Sequence, residues 1–272
     1  MSSRTSEGQR AGPPILDPAF LKTCCADLWS HPGVRVLLGD HLHPGARALT
    51  ERTLDLLALP EEATLLDVGS GPGAGAGVAA ERGCRVVAVD LSTSAVTEAA
   101  EAPGVAGVAA DAERLPLSDE ALDGVLAECV LSAIPGKEAV AREVHRVLRP
   151  GSPFVLTDVT RQGSLPADLD SLMGWIACAG GALPLQGYAR LLEDAGFTVE
   201  RLEDHREALG EFLAQVRRRL ALFQGALAAG VVNPAEMGIP TELLGLGQRL
   251  LEIAAAASAD GSLSYALILA RA

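Results

Sequence analysis

From Leu65 to its last residues the chain alternates short apolar runs with stretches of helical periodicity, and that alternation leaves few folds open. The runs are Thr64–Val68, Arg85–Val89, Val105–Ala109, Gly124–Cys129, Pro153–Val159, Phe197–Leu202 and Ser264–Leu269. Strands joined through helices lie side by side in parallel, so the pattern predicts an α/β chain with a largely parallel sheet. Between the fourth and fifth runs, Lys137–Leu148 sets Val140, Val144, Val147 and Leu148 on one helical face. Pro150-Gly151 ends that helix, and Gly196 ends the helix predicted over Leu185–Ala195.

Two segments stand outside the alternation. Ile15–Leu59 reads as mostly helical, with Pro44 expected in the first turn of a helix carrying Leu49, Leu54 and Leu57. Glu207–Ser258 precedes the final strand; its first helix carries Leu209, Phe212, Leu213, Val216, Leu220 and Phe223 inward and Arg217–Arg219 toward solvent. Asn233-Pro234-Ala235-Glu236 has the capping side chain and proline of a second helix start. The expected organisation is a polar leader over 1–14, a helical cap segment over 15–59, a cofactor-binding core over 60–206, an insertion over 207–258 that completes the cap, and a last core strand within 259–272.

A net charge of -13 repels phosphate backbones and argues against a nucleic-acid substrate. No uninterrupted apolar run reaches membrane-spanning length; the stretch Leu250–Ala257 is broken by Glu252. Residues 1–12 lack the apolar core of an export signal. A cytoplasmic protein with a small-molecule partner is expected, without membrane association; the oligomeric state is left open. Five cysteines (Cys24, Cys25, Cys84, Cys129 and Cys178) are an odd number, and in a reducing compartment they are free thiols.

The most specific local signal is Leu66-Asp67-Val68-Gly69-Ser70-Gly71-Pro72-Gly73, between a strand and a helix. Glycines there allow a tight turn and let a ligand approach the backbone. Nicotinamide enzymes share such loops, but further blocks follow here. Asp90-Leu91 closes the second strand, Asp111-Ala112 is expected to end the third with Leu115-Pro116 beyond it, and Leu122-Asp123-Gly124-Val125 precedes Glu143-x-x-Arg146-Val147-Leu148-Arg149-Pro150-Gly151. In order and spacing, Leu65–Asp158 resembles the class I S-adenosylmethionine-dependent methyltransferases. The resemblance implies a Rossmann-like, seven-stranded, mostly parallel sheet with helices on both faces, a helical cap and an antiparallel last strand. It further implies S-adenosyl-L-methionine as cofactor, with Asp67, Gly69, Gly71 and Gly73 at its methionine end, Asp90 and Leu91 at the ribose, Asp111 and Ala112 at the adenine, and Glu128 facing the methyl.

Glu128-Cys129-Val130 and Cys178-Ala179-Gly180-Gly181-Ala182 resemble segments of arsenite methyltransferases, with Glu128 in place of their asparagine. Leu21-Lys22-Thr23-Cys24-Cys25 is fainter in its likeness, and their cysteine after the glycine loop falls here near Ala76. The Gly39–Gly45 run and the 207–258 insertion match nothing in them. The resemblance makes Cys129, Cys178 and one of Cys24 or Cys25 candidates to hold trivalent arsenic, which is soft and prefers thiolates. Such capture is expected to strengthen as pH rises toward the thiol pKa of roughly 8.5. No metal site is expected: His41 and His43 have no evident third ligand and read as groups near a Pro44 cap, while Cys84 reads as structural and His145 as solvated. Two other readings stay open: methylation of a small organic C, O or S atom with the cysteines lining the pocket, and a non-catalytic cofactor-binding regulator.

Overall fold

The computed structural model describes residues 17–29, 31–169, 171, 174, 178–232 and 241–272. The polar leader and the helix start at 233–236 lie outside the described residues. One seven-stranded sheet contains β1 (Thr64–Val68), β2 (Arg85–Asp90), β3 (Val105–Ala109), β4 (Gly124–Glu128), β5 (Pro153–Arg161), β6 (Thr198–Asp204) and β7 (Leu263–Arg271), in the order β3-β2-β1-β4-β5-β7-β6. Strand β7 runs antiparallel to both neighbours, and the other pairings are parallel. Around the sheet lie α1 (Pro18–Trp29), α2 (Pro32–Leu38), α3 (Ala46–Leu57), α4 (Ala74–Glu81), α5 (Thr93–Ala99), α6 (Lys137–Val147), α7 (Leu185–Asp194), α8 (Arg206–Ala228) and α9 (Thr241–Asp260).

The two-residue period of a strand divides the core between two faces. Leu65, Leu126, Val155, Leu267 and Leu269 meet Leu54 and Leu57 of α3 and Ala76 and Ala79 of α4 on one side. Leu66, Val125, Phe154, Leu156 and Ile268 meet Val140, Val144 and Val147 of α6 and Tyr188 and Leu192 of α7 on the other. Covered on both faces, β5 and β7 are buried over all but their last residue. They also run beyond the expected apolar runs, because each supplies backbone partners to the other from Pro153↔Arg271 to Arg161↔Leu263. At the opposite extreme, β6 is an edge strand whose charged residues keep it soluble, with a register shift between Val199 and Arg201.

Several local expectations need correction. Pro44 is not in the first turn of α3: Gly45 adopts a left-handed conformation (φ 81) and caps the helix, which begins at Ala46. Asp111 lies beyond the end of β3 at Ala109, in the loop that follows it. Arg219 is not simply solvated, since its guanidinium donates to the Leu37 carbonyl at 3.4 Å and ties α8 to α2. His145 is not on a wet face either; its ring packs edge-on against Phe197, with centroids 4.9 Å apart. Helices α8 and α9 pack against each other and against β7.

Two glycines test the packing. A Cβ at Gly107 of β3 would sit 2.1 Å from the Val96 carbonyl oxygen, whereas one at Gly77 of α4 would meet nothing within 4 Å. In urea denaturation, Gly107→Ala is expected to lose about 1–3 kcal/mol through overpacking. Gly77→Ala is expected to gain roughly 0.5–1 kcal/mol from the lower entropy cost of alanine in a helix.

Candidate functional site

Strand order reverses at β1, whose crossovers lead to β2 on one side and, after β3, to β4 on the other. The loops after β1 and β4 therefore leave in opposite directions and open a crevice at the carboxyl ends of the strands. The cleft there is walled by Asp67, Gly69, Gly71, Asp90, Leu91, Asp111, Ala112, Glu128, Cys129 and Cys178 among the residues singled out from sequence, together with Cys25. Gly73 and Cys24 are not on its wall. Gly73 is a packing glycine instead: a Cβ there would come within 2.6 Å of Ala99 Cβ. No described wall residue comes from 207–258; the roof is the N-terminal segment, through Lys22, Cys25, Ala26, Trp29, Asp40, Leu42 and His43.

The glycine loop is shaped by close contact on one side and open space on the other. A Cβ at Gly69 (φ 67) would lie 2.0 Å from Val130 Cγ2, so only glycine lets the loops after β1 and β4 touch. Gly71 (φ 52) has nothing within 4 Å of where a Cβ would stand. Its N–H donates to Asp90 Oδ2 at 3.0 Å, and the Ser92 N–H donates to Oδ1 at 2.9 Å, so the carboxylate at the end of β2 is held by backbone. Burial pushes the Asp90 pKa up while those N–H groups oppose the rise. Asp67, 3% exposed, is raised further by burial and then by Glu128 and Asp90. Lys22 of α1 reaches across the mouth, its Nζ 2.6 Å from Asp111 Oδ2 and 3.1 Å from Glu113 Oε1. The cradle, the backbone-held carboxylate and the open glycine edge fit an adenosyl cofactor.

Cys129 and Cys178 both sit in the left-handed region (φ 58 and 62), which non-glycine residues occupy at a cost and which concentrates at functional sites. The Cys129 thiol is raised well above its ordinary range, first by its hydrogen bond with the Cys178 thiol and then by burial, while the Tyr265 phenol opposes the rise. Cys178 Sγ also lies 4.0 Å from the Cys129 carbonyl. Cys25 is pushed up to about 12 by burial and next by Cys178. Three cysteines thus share one cleft, although among the described residues no trio of His, Cys, Asp or Glu is gathered closely enough to hold a metal ion. Cys84 lies in the core at the start of β2, and Ala76 is fully buried in α4.

Sequence reasoning missed His43. Its imidazole is buried, its Nδ1 donates to the Pro44 carbonyl at 3.0 Å, and its Nε2 lies 3.4 Å from Glu128 Oε2. Burial lowers its pKa to about 4 and raises that of Glu128 to about 8, so both are neutral near pH 7. Thr50 of α3 donates to the same Glu128 oxygen at 3.1 Å. Nothing in the His41-x-His43 spacing points to a carboxyl group 85 residues away; only the fold brings His43 and Glu128 together. Lys22 and Trp29 were missed too, though their spacing about Cys25 marks one helical face.

A methyltransferase-domain family model matches residues 66–156. The chain is 32% identical over 147 residues to the arsenite methyltransferase of Halobacterium salinarum, covering 49% of this chain and 37% of that protein. It is 30% identical over 233 residues to the arsenite methyltransferase of Aquipseudomonas alcaligenes, covering 76% of this chain and 67% of that protein. In fold it is similar to Haemonchus contortus phosphoethanolamine N-methyltransferase 2, solved with phosphomonomethylethanolamine and S-adenosylhomocysteine: TM-score 0.73 at 19% identity, over 95% of this chain and 61% of that one. Among the described residues, no helix is long and apolar enough to cross a membrane. With the switch-point cleft and its glycine loop, these likenesses make the chain a member of the class I S-adenosylmethionine-dependent methyltransferases that resembles the arsenite methyltransferases.

Proposed function

We propose that this enzyme methylates a small thiophilic acceptor, with trivalent arsenic the concrete case, in the cleft between the ends of β1 and β4. The observation that carries the reading is the presence of Cys25, Cys129 and Cys178 on the wall that also holds Gly69 and Gly71. The arsenite methyltransferases it resembles support the same acceptor. Bound S-adenosylmethionine supplies an electrophilic methyl on a sulfonium. Gly69 and Gly71 border its methionine end with Asp67 beneath, Asp90 and Leu91 take the ribose, Asp111 and Ala112 flank the adenine, and Glu128 faces the methyl. Gly73 and Cys24 drop out of the expected set because neither lines the cleft.

The protein's own task is to hold the acceptor and keep water away. Soft arsenic prefers sulfur donors, and each thiol that binds it replaces one hydroxide with release of one water, leaving the arsenic lone pair to attack. Trp29, Leu42 and Ile134 supply apolar wall around that centre, and orientation there accounts for much of the rate. Free thiols on both sides of the cleft suit a reducing, cytoplasmic setting.

Burial alters the expected pH dependence. Cys25, pushed up to about 12, and Cys129, also raised, are protonated at neutral pH. Uncharged arsenous acid takes up those thiol protons as water, so capture releases no net proton. Arsenite affinity, measured by calorimetry, is therefore expected to be nearly flat from about pH 6 to 8, below the raised thiol pKa values, instead of rising as the sequence suggested.

S-adenosylhomocysteine is expected to raise the melting temperature through binding linkage, contributing about 2.7 kcal/mol at a hundred times its Kd, and NADH is not. Asp90→Ala should abolish most of that shift, because it removes charged acceptors and frees the Gly71 N–H. Cys25→Ser, Cys129→Ser and Cys178→Ser should each remove arsenite methylation with S-adenosylhomocysteine binding retained, whereas Cys24→Ser and Cys84→Ser should change little. Full arsenite activity in the Cys129 and Cys178 variants would end the thiol-capture reading.

A further inference from the structure

The loop after β3 is braced by α6. Glu143 Oε2 accepts the Leu115 N–H at 2.8 Å, and Arg146 donates to the Leu117 carbonyl at 2.8 Å and to the Leu115 carbonyl at 3.2 Å. Within the loop, the Glu113 N–H donates to Asp111 Oδ1 at 3.0 Å, which ties two acidic residues into one turn. The Glu113 carboxyl is seated against Gly136, where a Cβ would come within 2.6 Å of it. The outcome is a fixed pair of carboxylates at the mouth of the cleft. Lys22 meets both from the roof, with Nζ 2.6 Å from Asp111 Oδ2 and 3.1 Å from Glu113 Oε1. Its side chain is only 14% exposed, so this contact is screened less than one in open water. Fixed partners also spare it much of the ordering cost that weakens surface ion pairs.

We propose that Lys22 is a positioning residue that latches α1 over the bound cofactor. Cys25, Ala26 and Trp29 line the cleft from the same helix. Held down by Lys22, α1 retains the cofactor and keeps Cys25 and Trp29 at the acceptor end. When the ion pair parts, the helix lifts, the cofactor leaves and both side chains withdraw. One contact at the adenine end thus controls two events: how long the cofactor stays, and whether the acceptor wall is complete while it does. Lys22 acts through Asp111, Glu113 and the helix, and touches no reacting atom. The inference rests on the cofactor placement proposed above and not on arsenic.

Isotope-labelled S-adenosylhomocysteine, bound to the full chain and chased with excess unlabelled compound, gives the release rate. Lys22→Met keeps the apolar stem and loses the charge; it is expected to release about 10-fold faster or more, the scale of a lost charge-assisted hydrogen bond. Glu113→Gln, which leaves Asp111 in place, should release faster than wild type by a smaller factor. Wild-type release should quicken between low salt and about 1 M sodium chloride, where the screening length falls to about 3 Å, while Lys22→Met stays flat. Alkylation by iodoacetamide, mapped by tandem mass spectrometry with S-adenosylhomocysteine bound, reads the helix itself. Cys25 should react about 10-fold faster in Lys22→Met, in step with release, and the core thiol Cys84 should not change. Equal acceleration at Cys25 and Cys84 would mean that Lys22 merely stabilises the fold, and would overturn the latch. So would an unchanged release rate in Lys22→Met, or wild-type release indifferent to salt. The salt series and Glu113→Gln decide even if Lys22→Met fails to fold. Failure of wild type to bind S-adenosylhomocysteine would end the cofactor placement as well, whereas tight binding with unaltered release ends the latch alone.

Discussion

The cleft depends on the contact between a bare Cα and a branched side chain. Gly69 lies so close to Val130 that a single methyl would overlap it, and this approach fixes how near the β1 loop stands to the β4 loop. The crevice itself follows from topology, because the chain must leave β1 in one direction and β4 in the other. Its width and the aim of its backbone come from the glycine. Asp90 then braces the loop from β2 through the Gly71 N–H, so the carboxylate expected to meet the ribose also sets the conformation of the turn beside it.

The electrostatics of the cleft follow from the same geometry. Asp67, next to the end of β1, and Asp90 and Glu128, the last residues of the adjacent strands β2 and β4, converge where water is scarce. Their mutual burial raises all three pKa values, a cost to the empty protein. A cofactor bearing a sulfonium and an ammonium favours ionised carboxylates, so binding relieves part of that cost. His43 is neutral for the converse reason, its burial disfavouring the imidazolium.

Much of this was legible in the chain because periodicity and backbone demands leave local marks. The seven strands, helices α6 and α7, and the glycine loop appear where apolar spacing and turn residues put them. Edge strand β6 was read short, since Glu203 and Asp204 look like loop until the backbone of β7 is there to pair with them. Pro44 was placed inside a helix because proline favours a first turn, yet the left-handed Gly45 beside it sets the boundary. Of the adjacent thiols Cys24 and Cys25, the fold alone chooses Cys25 for the cleft. The pairing of His43 and Thr50 with Glu128 is long-range, so no window of sequence contains it.

Helix α1 works as a ruler. Lys22, Cys25 and Trp29 stand on one face and line the cleft, and at 1.5 Å per residue they cover about 10 Å along the axis. Lys22, which grips Asp111, and the Cys25 sulfur stand three residues apart on that face, about 4.5 Å along the axis. The distance between them is thus set by helical pitch rather than by any flexible loop. A single residue inserted between Lys22 and Cys25 would turn the thiol by about 100° and carry it out of the cleft while the ammonium stayed in place. Spacing within this one helix is therefore as much a part of the active site as the side chains it carries.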